Sequence, residues 1–169
     1  MINTKLEEVI NHQINAELYS AYLYLSMAAY FESINLPGFA NWMRVQFEEE
    51  QFHGLKFFDY LTSRGGRVKL EAIEVPQFEW SNPLQVFEHT LEHEQHVTAL
   101  LNNIAEVAET EKDRATRNLM VWFIDEQVEE EGSAEKIINE LKMIGDNGHG
   151  LLMLDREFAT RVFTPPTGA

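Results

Sequence analysis

Residues 65–82 read GGRVKLEAIEVPQFEWSN, and this stretch decides how the helices on either side of it are arranged. It contains two adjacent glycines and Pro76 and shows little helical periodicity, so we predict an extended connection of about 18 residues. Such a segment can span roughly 60 Å, whereas a helix of about 28 residues is roughly 42 Å long. The connection can therefore return along a whole bundle and leave the two helices that it joins parallel to each other.

The rest of the chain is predicted to be helical, because its apolar residues recur three and four positions apart. Four long helices are expected: Thr4, as the N-cap, to about Ser33; Pro37 or Gly38 to about Arg64; Ser81-Asn82-Pro83 to about Glu111; and about Asp113 to Gly145. Short turns within each pair give two antiparallel hairpins. The fold class is thus all-α, a four-helix bundle over residues 4–145 with one long crossover between helices 2 and 3.

A glycine-rich hinge over residues 145–150 is followed by a shorter apolar pattern formed by Leu151, Leu154, Phe158 and Val162. We predict a fifth helix over about 148–162, before Pro165-Pro166. This helix either packs against its own bundle or turns away and packs with other copies of the chain. All 169 residues are expected to form one domain.

The composition excludes several classes of function. There are 13 Lys and Arg against 28 Asp and Glu, a formal net charge of -15, which repels nucleic acids and anionic membranes and attracts cations. The chain has no cysteine, which excludes disulfides, thiolate zinc sites and iron–sulfur clusters. Its amphipathic, charged start lacks the pattern of a signal peptide, and nowhere do 18 apolar residues follow one another. We therefore expect a cytoplasmic protein.

Polar side chains interrupt the apolar stripe of each long helix near its middle. They are Glu17 in helix 1, Glu50 and His53 in helix 2, Glu94 in helix 3, and Gln127 and Glu130 in helix 4. Helix midpoints stay level whether neighbours run parallel or antiparallel, so these side chains are expected to meet in one layer. A carboxylate facing a hydrocarbon core is costly unless it is paired or bound to a metal. The apolar stripes supply no matching cation.

The residue types of this layer indicate a metal site. Carboxylate oxygens can bridge two cations, and an imidazole adds preference for a transition metal such as iron. The set can hold two metal ions and leave positions open for oxygen, and Tyr24, on the same face as Glu17, can hydrogen-bond a ligand carboxylate. A single buried glutamate is usually explained by an ion pair with Lys or Arg. That explanation fails for four interruptions together, because the stripes supply no matching cations. The alternative is a metal-free bundle that acts only as a structural or interaction protein.

The chain resembles the bacterial non-haem ferritins over essentially its full length. Four stretches carry the resemblance: 13–20 (QINAELYS), 48–53 (EEEQFH), 93–95 (HEQ) and 126–131 (EQVEEE). Ferritin-like carboxylate proteins typically have two Glu-x-x-His motifs. This chain has Glu50-x-x-His53 but Gln127-x-x-Glu130 in the second place. Because Gln51 stands where the haem-binding relatives have Met, the resemblance implies a protein without haem.

The resemblance implies a ferroxidase and iron-storage function, in which iron(II) is oxidised by O2 or H2O2 and iron(III) is stored as a mineral. Glu17, Glu50 and His53 would hold one iron ion, with Glu50 bridging to a second held by Glu94 and Glu130, and Gln127 would line the second position. Members of this family with a similar fourth helix have a third iron site, whose carboxylates match Glu49, Glu126, Glu129 and Glu130. From the residues alone, a solvated acidic surface is the better explanation of Glu49, Glu126 and Glu129, because charged side chains are exposed by default.

Two further expectations come from the resemblance. Ferritins with a fifth helix assemble into closed shells of 24 subunits, so a homo-oligomer of 24 copies is expected. A non-storage di-iron oxidase or peroxidase of rubrerythrin type is the alternative within the fold, although the missing cysteines remove its electron-transfer domain. His89, His93 and His96 share a face of helix 3, which we interpret as an exposed histidine surface rather than a metal site.

Overall fold

The computed structural model describes residues 1–166, and regular structure in this part of the chain is entirely helical. Five helices follow one another: α1 (Thr4–Ser33), α2 (Pro37–Ser63), α3 (Pro83–Thr110), α4 (Arg114–Ile144) and α5 (Gly148–Phe158). The predicted fold class is therefore confirmed, a four-helix bundle with a short additional helix. None of the helices in the described residues is long and apolar enough to cross a membrane.

The connection between α2 and α3 runs lengthwise along α1. Near the start of α1, Asn11 Nδ2 donates to the carbonyl oxygen of Arg67 at 3.0 Å. Near its end, Ser26 Oγ donates to the carbonyl oxygen of Gln77 at 2.7 Å. The connection thus returns along the bundle beside α1, as its length predicted, and α3 begins at the same end as α2.

The apolar core consists of two clusters, one towards each end of the bundle. One is rich in aromatic residues and reaches α5: Tyr24, Tyr30, Phe31, Phe39, Trp42, Trp80, Phe87 and Phe158, with other apolar neighbours such as Leu23 and Met27. The other contains Ile10, Ile14, Phe57, Leu61, Val97, Leu101, Ile104, Met120 and Phe123. Between these two groups along α1 lies Glu17, so the sequence position of the polar layer coincides with the division of the core.

Two predicted helix boundaries are wrong. The N-cap of α1 is Asn3, whose side chain accepts from Lys5 N at 2.8 Å, and Thr4 is already helical. The fifth helix ends at Phe158 rather than near Val162. The chain that follows is held against α2, since Asn41 Nδ2 donates to the carbonyl oxygens of both Phe158 and Arg161 at 3.0 Å.

Helix α5 packs on the first turn of α2. Leu154 and Phe158 are buried, and Asp155 Oδ1 accepts from the backbone N–H groups of Gly38 and Phe39 at 2.8 and 3.1 Å. A carboxylate suits this position because the first N–H groups of a helix have no partner within it. Within one chain, α5 therefore packs against its own bundle.

The Gly38→Ala variant is expected to unfold at a lower temperature than the wild type. An added Cβ at residue 38 would lie 1.6 Å from the carbonyl oxygen of Asp155, so α5 must shift or detach. Overpacking of this kind typically costs about 1–3 kcal/mol. The matched control is Gly132→Ala in α4, where an added Cβ meets nothing within 4 Å and alanine should stabilise the helix by roughly 1 kcal/mol. Equal melting temperatures by differential scanning fluorimetry would contradict this packing.

Candidate metal centre

The side chains predicted to form the polar layer lie in the interior of the bundle. Glu17, Glu50 and Glu94 are 1%, 2% and 1% exposed, and His53 and Gln127 are also buried. Glu130 is partly buried. Each helix of the bundle thus directs at least one acidic or amide group inward at this level.

Glu17, Glu50 and His53 form a tight group of possible metal ligands. One ligand atom from each lies within 4.8 Å of the others, and within residues 1–166 no other three His, Cys, Asp or Glu side chains meet this condition. Within this group, His53 Nδ1 lies 3.4 Å from Glu50 Oε2. Two carboxylates and an imidazole are donors that suit iron.

One oxygen of Glu17 is buried without an N–H or hydroxyl donor. Glu17 Oε1 accepts from Gln13 Nε2 at 2.9 Å, whereas Oε2 has no such donor among the described residues. The Glu17 and Glu50 carboxyls are themselves close enough to share a proton when one of them is protonated. An unsatisfied buried polar atom costs about 1–3 kcal/mol, and in a native protein such an atom calls for an explanation. A cation between Glu17, Glu50 and His53 would satisfy it, so this group of donors fits a metal ion.

No basic side chain compensates the inner carboxylates. Among the ion pairs of residues 1–166, none joins Lys or Arg to Glu17, Glu50 or Glu94. Burial raises the pKa of Glu17 and of Glu50 well above the ordinary value, and the charges of Glu94 and Glu130 raise that of Glu50 further. Without a cation these carboxyls are therefore held protonated at pH values where a free glutamate is ionised.

Glu94 is oriented by two neighbours. Tyr24 OH donates to Glu94 Oε1, and Gln127 Nε2 donates to Glu94 Oε2 at 3.0 Å. The amide of Gln127 also lies 3.2 Å from Thr98 Oγ1. Burial raises the pKa of Glu94, and the hydrogen bonds from Tyr24 and Gln127 act in the opposite direction. These donors fix the carboxylate that faces the second half of the layer.

Glu130 is oriented from α2. Gln46, a fully buried amide, donates from Nε2 to Glu130 Oε2 at 2.8 Å. Burial and the charges of Glu94 and Glu49 raise the pKa of Glu130 to about 8. Glu94 and Glu130 are thus close enough to repel each other when ionised, although they are not part of the tight group around Glu17.

The three remaining acidic residues predicted for a third site lie further out. Glu49 is partly buried and its Oε2 accepts from Arg161 Nη2 at 2.8 Å. Glu126 is partly buried and Glu129 is exposed. Burial raises the pKa of both Glu49 and Glu126. The structure does not bring these carboxylates as close together as the group around Glu17.

The interpretation of an exposed histidine surface on α3 is wrong for two of its three members. His89 is partly buried, and its Nδ1 accepts from Trp80 Nε1 at 3.1 Å. His93 is partly buried with its Nε2 2.8 Å from Ser20 Oγ, and burial lowers its pKa to about 4. Only His96 is exposed. The crossover and α1 cover this face, which the periodicity of α3 alone does not reveal.

Several residues that orient the centre were not singled out in the sequence. Gln13 and Gln46 each lie four positions before a glutamate of the layer, on the same helix face, so their spacing is a usable signal. Thr98 lies four positions after Glu94, again on the same helix face. Arg161 has no such signal, because it reaches Glu49 from a segment outside the bundle helices.

Comparison with known proteins agrees with this arrangement. Residues 7–144 match the family model described as Ferritin, a ferritin-like domain. A bacterial non-heme ferritin of Bacteroides fragilis is 44% identical over 161 residues, covering 95% of this chain and 100% of that protein. One from Staphylococcus aureus is 40% identical over 163 residues, covering 96% and 98%.

Solved structures give the same result. An engineered closed form of the Archaeoglobus fulgidus ferritin superposes with a TM-score of 0.96 at 54% identity, covering 97% of this chain and 100% of that one. The open-pore ferritin of the same archaeon gives 0.94 at 54% identity, covering 96% and 100%. The match spans all four bundle helices and the layer that they enclose, and on these grounds the chain belongs to the ferritin family.

Proposed function

We propose that this protein stores and detoxifies iron. It oxidises iron(II) at the buried carboxylate layer and deposits iron(III) as a mineral inside a hollow shell of identical subunits. Membership of the ferritin family supports storage, and relatives named as bacterial non-heme ferritins match nearly the whole chain. The observation that carries the oxidation step is the unpartnered Oε2 of Glu17 beside Glu50 and His53, deep in the bundle.

The firm iron position is assigned to Glu17, Glu50 and His53. The unpartnered oxygen of Glu17 would coordinate iron(II) bound there. The ion would also replace the protons that burial holds on Glu17 and Glu50. Gln13 keeps the other oxygen of Glu17 in place. Binding at this position should therefore release protons, in proportion to the carboxyls that ionise.

The second iron position is assigned to Glu94 and Glu130, with Gln127 lining it and Glu50 bridging from the first. A glutamine oxygen is a weaker ligand than the imidazole of a second Glu-x-x-His motif. In this chain the amide of Gln127 is turned towards Glu94 and Thr98, which it holds through its nitrogen. These contacts support a looser second position, from which an oxidised ion can leave.

The oxidation requires two electrons from two ions. Two iron(II) ions and two protons reduce O2 to H2O2, or reduce H2O2 to two water molecules, and each iron becomes iron(III). The two proposed positions would hold the two ions close together for this exchange. The raised pKa of Glu130, at about 8, lets it hold a proton in the metal-free state near neutral pH.

A third iron position is proposed at Glu49, Glu126, Glu129 and Glu130. These carboxylates extend from the buried layer outwards, since Glu126 is partly buried and Glu129 is exposed. Iron(III) that leaves the second position would meet them next. No haem is expected in this scheme.

Assembly into a shell is supported by apolar side chains left exposed on the outer side of α1 and the crossover. Val75 and Phe78 are 87% and 67% exposed, and Tyr22 and Leu25 lie beside them around a shared groove. Exposed apolar patches mark interaction sites. We propose that other copies of the chain cover this surface in a closed assembly of 24 subunits.

Multi-angle light scattering should give a single species of about 470 kDa, which corresponds to 24 subunits of 19.6 kDa each. A Phe78→Glu variant should shift the population to smaller species, because it places a charge on the proposed subunit contact. The control is Glu79→Gln, the next residue along the chain, which is also exposed. This variant changes the net charge but places no charge on the apolar surface. A monomer or a dodecamer in the wild type would contradict the assembly.

Iron loading tests the storage function itself. The purified protein, given several hundred iron(II) ions per shell in air, should retain them through gel filtration and show electron-dense cores by unstained electron microscopy. Serum albumin treated in parallel controls for non-specific hydrolysis of iron. Precipitation of iron outside the protein, at the rate seen with albumin, would contradict storage.

A further inference from the structure

Arg161 is a basic side chain placed directly on the outer edge of the proposed iron centre. Arg161 forms an ion pair with Glu49, a carboxylate assigned to iron. No other ion pair of Lys or Arg within residues 1–166 involves such a carboxylate. The distance from Arg161 Nη2 to Glu49 Oε2 is 2.8 Å. A permanent positive charge thus occupies a carboxylate oxygen that a third iron ion would need.

The guanidinium is held in a well-defined place. Its central carbon lies 4.4 Å over the ring of Trp42, and Nη1 donates to the carbonyl oxygen of Trp42 at 3.2 Å. Nη2 donates to Gln46 Oε1 as well as to Glu49. A planar group that stacks on an aromatic ring while its fork of N–H groups donates to several oxygens is geometry that arginine provides and lysine does not.

Gln46 lies between Arg161 and Glu130. Its oxygen accepts from Arg161 while its nitrogen donates to Glu130 Oε2 at 2.8 Å. With Gln46 completely buried, its amide has little freedom to turn. Arg161 therefore contacts Glu49 directly, whereas the Gln46 amide separates it from Glu130, so its charge acts mainly on Glu49.

The segment that carries Arg161 is anchored along α2. Asn41 Nδ2 donates to the carbonyl oxygen of Arg161 at 3.0 Å, and the ring of Phe163 lies 6.1 Å from that of Phe52. Residues 159–163 thus follow α2 past Glu49. Release of the guanidinium would remove one of the contacts that hold this segment in place.

We propose that Arg161 is a positioning residue that acts as an internal counter-cation of the outer carboxylates, and that iron must displace it from Glu49 to bind there. This inference rests on the proposed function and concerns the third position alone. Two cations cannot share the same carboxylate oxygen at close range without strong repulsion. Arg161 thus weakens the third position selectively, so that an ion binds there briefly and moves on towards the mineral.

Anaerobic titration of iron(II) by calorimetry tests the proposal with three proteins. In Arg161→Gln, the third ion per chain should bind about 10-fold more tightly than in the wild type, because a hydrogen-bonded charge no longer competes for Glu49. The two tighter positions should change less than twofold. Arg156→Gln in α5 is the matched control, since Arg156 is exposed and its replacement alters net charge equally.

The outcomes separate this inference from the proposed function. If the wild type binds no iron tightly at its first two positions, the proposed function fails. If those positions bind normally and the third is no tighter in Arg161→Gln than in Arg156→Gln, or is absent from both, the role of Arg161 is overturned while the function stands. A third position detectable in Arg161→Gln alone supports the role.

Hydrogen exchange of the wild type gives a second readout that requires no variant. Addition of iron(II) beyond two ions per chain should increase amide exchange in the peptide that covers residues 159–163, because the displaced guanidinium no longer anchors it. Exchange in the α1–α2 turn should stay constant. Unchanged or slower exchange over residues 159–163 would overturn the displacement.

Discussion

The Glu50→Ala variant is expected to oxidise iron(II) at least about 100-fold more slowly than the wild type, as followed by the absorbance of iron(III) after mixing with oxygenated buffer. Glu50 belongs to the tight group with Glu17 and His53. It is also close enough to Glu94 and Glu130 for their charges to raise its pKa. Its removal takes a ligand from both proposed iron positions. Loss of a few kcal/mol of metal-ion stabilisation corresponds to a factor of about 100 or more in rate.

Stability measurements distinguish this loss from unfolding. Because Glu50 is buried and lacks a basic partner, its replacement by alanine leaves a cavity but also removes a costly polar group. We expect the metal-free variant to remain folded, with a melting temperature close to that of the wild type. Glu48→Ala, at an exposed position of the same helix, should retain full activity. An active Glu50→Ala protein, or an inactive Glu48→Ala protein, would contradict the assignment.

The metal-free protein is expected to lose stability as the pH rises from 6.5 to 8, and bound metal should abolish this loss. The pKa of Glu130 is raised to about 8 in the folded state, and those of Glu17 and Glu50 are raised well above the ordinary value. The folded protein therefore binds more protons than the unfolded chain in this range. The resulting stabilisation is complete below the ordinary glutamate pKa and disappears as the pH passes the folded value.

Melting temperatures of chelator-treated protein between pH 6.5 and 8 measure this effect, and we expect a fall of roughly 5 °C. Below pH 6.5, His93 acts in the opposite direction because its folded pKa is about 4, so the test is confined to higher pH. Glu130→Gln should flatten the profile, since the amide does not titrate. A melting temperature that is constant or rises over this range, or a Glu130→Gln profile as steep as that of the wild type, would contradict the raised pKa values.

The fold was predictable from local features of the sequence. Helix periodicity, Gly65-Gly66 and the length of the connection before Pro83 determine the bundle and its crossover, and these are properties of contiguous residues. The polar layer was predictable for the same reason, because a glutamate in an apolar stripe is visible without the other helices. Glu17, Glu50 and Glu94 are buried as their stripes require.

The unpredicted features depend on contacts between distant segments. Where the fifth helix ends, Asn41 donates to the carbonyl oxygens of Phe158 and Arg161, and no periodic pattern encodes that contact. Arg161 reaches Glu49 across 112 positions of the chain. The histidine surface was misinterpreted because the face of α3 that carries His93 lies against Ser20 of α1. Helical patterns indicate which residues share a face but not what covers that face.

The metal-free alternative is disfavoured by the interior itself. A purely structural bundle would fill the middle of its core with apolar side chains, whereas here Glu17, Gln46, Glu50, Glu94 and Gln127 are all buried. Buried polar groups cost stability unless they are satisfied. The unpartnered oxygen of Glu17 is the clearest remaining cost, and a bound cation is the simplest way to remove it.

Anaerobic calorimetric titration of the wild type with iron(II), followed by admission of oxygen, tests the central claim most directly. We predict two tightly bound ions per chain, with a weaker third, and proton release that appears as a dependence of the heat on the ionisation enthalpy of the buffer. Oxygen should then convert the bound ions to iron(III) and restore the capacity for more iron(II). Absence of tight binding, or binding unchanged in Glu50→Ala, would contradict an iron centre in this layer.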